Sequence, residues 1–111
     1  MNTIQRILQK HIEKRMKPNK VVLVLGARRV GKTIVIKQII KNFSGKVLLL
    51  NGEDSDSLAL LANRSISNYQ NLLKGIDLLV IDEAQNVPEI GQKLKLIVDE
   101  IPNIKVIASG S

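Results

Sequence analysis

The sequence has no cysteine and no tryptophan, and only one histidine, one phenylalanine and one tyrosine. The missing cysteines exclude disulfides, zinc ribbons and a thiol nucleophile together. They fit a reducing compartment, and a cytoplasmic location is expected. His11 has no second imidazole with which to build a transition-metal site. Any metal is therefore expected to be a hard cation held by oxygens. Phe43 and Tyr69 are the only aromatics, too few for a base-stacking platform on a nucleic acid. No apolar run approaches the roughly 18 residues of a membrane helix. The first stretch, MNTIQRILQKHIEKRM, lacks the uninterrupted apolar core of a secretory signal. It is basic and amphipathic, and a surface helix of the domain is expected there rather than a transit peptide.

What is present fits one small domain. The chain has 111 residues, of which 44% are apolar, an ordinary share for a globular protein. The net charge of +7 is unevenly spread. Residues 1–46 carry twelve Lys/Arg against the single acid Glu13, whereas residues 47–111 carry five against nine acids. A basic half can attract the phosphates of a nucleotide or of nucleic acid. It can equally be a solvated helix face, and charge alone leaves both open.

The pattern of apolar residues predicts alternating helices and strands. Ile4, Ile7, Leu8, Ile12 and Met16 recur at helical spacing, which predicts a helix over 3–16, stopped by Lys17-Pro18-Asn19. VVLVL at 21–25 reads as a strand buried on both faces. Ile34, Ile36, Ile39, Ile40 and Phe43 mark a second helix. KVLLLN at 46–51 is a second strand, and GEDSD after it is a turn able to cap the next helix. SLALLAN and SISNYQNLLKG read as one broken helix or two short ones. DLLVID at 77–82 is a third strand, Pro88 suits the first turn of a further helix, and IKVIA at 104–108 is a fourth strand. Such alternation means βαβ units and a parallel sheet in an α/β domain.

Gly26-Ala27-Arg28-Arg29-Val30-Gly31-Lys32-Thr33 has the phosphate-loop spacing G-x-x-x-x-G-K-[ST], between a predicted strand and a predicted helix. The glycines allow backbone N–H groups to turn inward on phosphate oxygens. Residues Gly26 to Ile34 are therefore the candidate nucleotide cradle. Lys32 is expected to reach the β- and γ-phosphates, and Thr33 to ligate Mg²⁺. Four apolar residues, Leu78 to Ile81, deliver Asp82 and Glu83 to a strand end. In a parallel sheet that end lies at the ligand-binding edge. Asp82 is the second candidate for Mg²⁺, and Glu83 the candidate base for an attacking water. Ser109, after the fourth strand, either meets the γ-phosphate or the water, or is an exposed chain end. Glu53 and Asp54 read as a solvated turn far from the phosphate loop. Arg28 and Arg29 are expected to pair with acids or face water.

The motifs GARRVGKT, IDEAQ and VIASGS, in this order, resemble the AAA-type ATPases of the AAA_14 family, which usually show GxRxVGKT, DExQ and TGS. NGED at 51–54 resembles that family as well. Ser109 departs from the usual threonine but keeps the hydroxyl. The resemblance implies ATP and Mg²⁺ binding and a strand order of 5-1-4-3-2. DEAQ is also similar to the DEAD/H-like helicases, but those place far more chain between the two motifs. Gln85 remains open between coupling the nucleotide state to a partner and bonding to backbone at a helix entry.

The expected protein is thus a P-loop NTPase with a three-layer α/β/α sandwich, residues 1–111 forming one truncated ATPase core and 1–19 its helix and linker. Four strands are expected in the order 1-4-3-2, with the fifth strand and the lid missing. The intact protein is expected to hydrolyse ATP, with Glu83, Lys32 and Ser109 as catalytic residues. The alternative is a nucleotide-dependent switch with negligible turnover, engaging DNA. The open first strand is expected to favour self-association or pairing with a missing C-terminal region.

Overall fold

A computed structural model describes residues 1–26 and 31–111 of the chain. Helix α1 spans Thr3–Arg15. Asn2 and Gln5 form a capping box at its start, each side chain satisfying the other's backbone N–H. Lys14 and Arg15 in its last turn suit the negative end of the helix. Strand β1 (Lys20–Leu25) and helix α2 (Lys32–Asn42) flank the glycine loop. Strand β2 (Val47–Asn51) leads through a turn into α3 (Ser55–Ala62), which Asp54 caps by accepting the Ser57 N–H. Helix α4 (Ile66–Leu72) is a separate element, because Ser65 caps a new start. Strand β3 (Leu78–Asp82), helix α5 (Ile90–Glu100) and strand β4 (Lys105–Gly110) complete the order.

The sheet is parallel, with the order β1-β4-β3-β2, as expected for a P-loop NTPase. Strand β3 is buried on both faces, and its residues alternate between two cores. Leu78 and Val80 join Val22, Val24, Val35, Ile36 and Ile39 beneath α1 and α2. Leu79 and Ile81 join Leu61, Tyr69, Leu94 and Ile97 beneath α3, α4 and α5. This is the period-two pattern of a central strand in a three-layer sandwich. Burial pushes the Tyr69 phenol pKa up, so it stays a donor, and it hydrogen-bonds the Leu61 carbonyl at 3.1 Å.

Asn19 locks β1 to the far end of α5. It adopts the left-handed conformation (φ 60°), and its side-chain amide donates to the carbonyls of Val98 and Ile101, both at 2.8 Å. Those are carbonyls that a helix end leaves without an internal partner.

Three elements differ from the sequence reading. Strand β1 is not buried on both faces, because the face that carries Leu23 and Leu25 opens on a cavity beside α5. A short 3₁₀ turn at Ala84–Asn86 precedes α5, and Glu89 rather than Pro88 stands at the entry to that helix. Strand β4 does not end at residue 108 but continues through Gly110, because it stays in register with β1 as far as Leu25. One edge of β1 has no strand partner among the described residues. Beside it Leu23 is 63% and Leu25 73% exposed.

Candidate active site

Strand ends β1, β3 and β4 and the start of α2 meet at one edge of the sheet. Gly31 stands at the helix entry with φ 72°, a conformation that a side chain resists. The first bond inside α2 runs from the Val35 N–H to the Gly31 carbonyl. The amides before it open out of the helix end, and no acid lies in the first turn to oppose an anion there.

Lys32 is 4% exposed, and its ammonium donates to the Gly110 carbonyl. A buried lysine needs such an acceptor, and a phosphate oxygen would be a better one, since it adds charge to the hydrogen bond. Among the described residues the Asp82 carboxylate accepts three hydrogen bonds. The Ser109 hydroxyl donates to its Oδ1 at 2.7 Å, as does the Glu83 N–H at 2.9 Å. The Thr33 hydroxyl donates to its Oδ2 at 3.3 Å. Ser109 is 1% exposed. It is therefore no exposed chain end, and its partner is Asp82.

Gly31, Lys32, Thr33, Ile34, Asp82 and Glu83 line a cavity of about 440 Å³, together with Asn51 and Glu53. Of the expected cradle, Gly26 follows β1 outside that lining, while Ala27, Arg28, Arg29 and Val30 lie outside the described residues. Asn51 and Glu53 correct the sequence reading, which put the turn after β2 far from the loop. Strand β2 lies directly beside β3, with Asn51 opposite Asp82. The turn is thereby carried to the cavity. Asp54 does keep its expected capping role.

The same neighbourhood explains Gly52. Its N–H donates to the Asp82 carbonyl at 2.8 Å, and a Cβ at this position would overlap the Glu83 carbonyl oxygen. That obstacle is backbone and cannot swing aside. Gly52→Ala is expected to destabilise the fold by about 1–3 kcal/mol, as overpacking does, and to shift the Glu83 backbone. Urea unfolding monitored by circular dichroism checks this, and an unchanged midpoint counts against the close approach.

Thr33 and Asp82 offer hard oxygen ligands, a set that suits Mg²⁺ and not a soft metal. Among the described residues no three His, Cys, Asp or Glu side chains gather as a protein-only metal site. Mg²⁺ tolerates that, since it commonly keeps waters and takes phosphate oxygens beside one or two protein ligands.

Comparison with known proteins agrees with this fold. The family model AAA_14, described as an AAA domain, matches residues 18–111. An uncharacterized protein of Methanocaldococcus jannaschii, MJ1544, is 29% identical over 109 residues. That match covers 96% of this chain and 25% of the relative, so the chain spans about a quarter of the relative's length. No solved structure matches. Among the described residues no helix is long and apolar enough to cross a membrane.

Proposed function

Since the chain belongs to the AAA_14 family of AAA domains, we propose that it binds ATP with Mg²⁺ and forms the core of an ATPase that attacks the γ-phosphate with water. The observation that carries the reading is the meeting of Lys32, Thr33, Asp82 and Glu83 on one cavity, from motifs some fifty residues apart in the chain. Lys32 exchanges the Gly110 carbonyl for β- and γ-phosphate oxygens. The α2 amides hold the phosphate chain at the helix end. Thr33 and Asp82 hold Mg²⁺, which neutralises phosphate charge and orients the γ-phosphate when bound. Ser109 keeps the Asp82 carboxylate aimed by donating to Oδ1, which leaves Oδ2 to the Thr33 side. Glu83 draws the proton from the attacking water. The bare edge of β1 beside Leu23 and Leu25 supports association through that strand.

The test is calorimetry with Mg-ATP beside a phosphate-release assay, with and without DNA. Binding with turnover supports the ATPase. Binding without turnover, altered by DNA, supports a nucleotide-dependent switch instead. No binding removes both readings.

A further inference from the structure

We propose that Gln85 is the positioning residue for Glu83, seated against Gly110 at the end of β4. The proposal rests on the hydrolytic reading above and assigns it a residue that touches neither phosphate nor metal.

Glu83 needs such a partner. It lies just past β3 in a left-handed conformation, with φ 51°. Neither a strand nor a helix therefore directs its side chain. The Gln85 amide supplies the direction by donating from Nε2 to Glu83 Oε2 at 2.8 Å. Among the described residues no other hydrogen bond reaches that carboxylate, so Oε1 keeps its lone pairs for a proton. A glutamine suits the task because its amide donates without charge. Lysine or arginine here would pair with the carboxylate and weaken it as a base.

Gln85 is in turn held by shape. Its Oε1 rests against Gly110, where a Cβ would overlap it and nothing else so closely. Gly110 is buried, and its carbonyl is the acceptor of the Lys32 ammonium. One exposed side chain thus bridges the candidate base and the strand end gripped by the phosphate-loop lysine. Two positions far apart in sequence should then give one phenotype. Gln85→Ala removes the donor, and Gly110→Ala pushes it away while substituting none of the proposed catalytic side chains.

The experiment has two arms. In the empty protein, the side-chain amide ¹H–¹⁵N resonance of Gln85 is compared with that of Glu83→Ala and of Gly110→Ala. A downfield amide proton in the unmodified chain that returns to the free-glutamine position in both variants is expected. In the second arm, kcat, KM and Mg-ATP affinity are measured for Gln85→Ala, Gly110→Ala, Glu83→Gln and the Gln85→Ala/Glu83→Gln double variant. Loss of a hydrogen bond to a charged base is expected to lower kcat about ten- to a hundredfold, with KM and affinity unmoved. Gln85→Ala is expected to add nothing in the Glu83→Gln background. Should Gly110→Ala fail to fold, Gln85→Ala decides alone, because that side chain is exposed. Full turnover in Gln85→Ala, additive losses in the double variant, or an unshifted amide overturns the proposal and leaves the ATPase standing. Binding without turnover also overturns it, since no base is then at work, and leaves ATP binding standing. No binding overturns it together with the reading it rests on.

Discussion

Lys32→Ala is expected to weaken Mg-ATP binding by about a hundredfold or more, taking it below detection for a site of modest affinity. The ammonium is already desolvated and held at the mouth of α2 by the Gly110 carbonyl. It need not be stripped of water when phosphate arrives, and it gives up only a bond to a neutral carbonyl for one to a charged oxygen, so the difference between the two appears as affinity. The empty protein should suffer far less, because the substitution also removes a buried charge. Calorimetry beside thermal unfolding separates the two effects. Undiminished affinity in the folded variant sinks the phosphate-loop role of Lys32.

Glu83→Gln is expected to keep Mg-ATP binding and to lower kcat about 10²- to 10⁴-fold, the range for loss of a general base. The amide preserves the shape of the carboxylate but cannot accept a proton at neutral pH. Its backbone N–H still donates to Asp82 Oδ1 at 2.9 Å, so the proposed metal ligand keeps its support. The comparison requires a form of the protein with measurable turnover. Hydrolysis at the parent rate would move the base to another group, and the adjacent Glu53 on the same cavity is then the first to substitute.

Legibility in the sequence depended on whether a feature is local. The spacing from Gly26 to Thr33, and the apolar run that ends at Asp82, are written in consecutive residues, and the elements expected around them, β1, α2 and β3, are present. The sequence leaves the separation of α3 from α4 open, since it turns on Ser65 acting as a cap. Features set by register between strands are not legible in it. Nothing near Glu53 in the chain announces that Asn51 lies opposite Asp82. Gly52 reads as an ordinary turn glycine until the Glu83 carbonyl is found against it. Ser109 stays open between a phosphate contact and an exposed chain end, because the pairing that buries it lies in β1, far upstream. The side-chain bond from Gln85 to Glu83 is hidden from the sequence for a different reason. It forms across a 3₁₀ turn where a helix entry was expected. Arg28 and Arg29 lie outside the described residues.

The pairing of β1 with β4 also imposes an order on how the protein comes into being. Lys20 finds its neighbour in Lys105, and Leu25 in Gly110, so β1 waits for a strand that β2 and β3 precede in the chain. Closing so long a stretch of chain is slow, since its entropy is lost before any contact repays it. The β2–β3 pair needs a shorter closure and is expected to form first. Until Gly110 arrives, Lys32 lacks the carbonyl that receives it, and Asp82 lacks the Ser109 hydroxyl. The candidate nucleotide edge is then the last part of this domain to mature, and β1 stays exposed to other chains throughout that wait. Pulse-labelled hydrogen exchange during refolding reads this directly: amides of β1 and β4 gain protection together and after those of β2 and β3, and the reverse sequence would show that the site is built early.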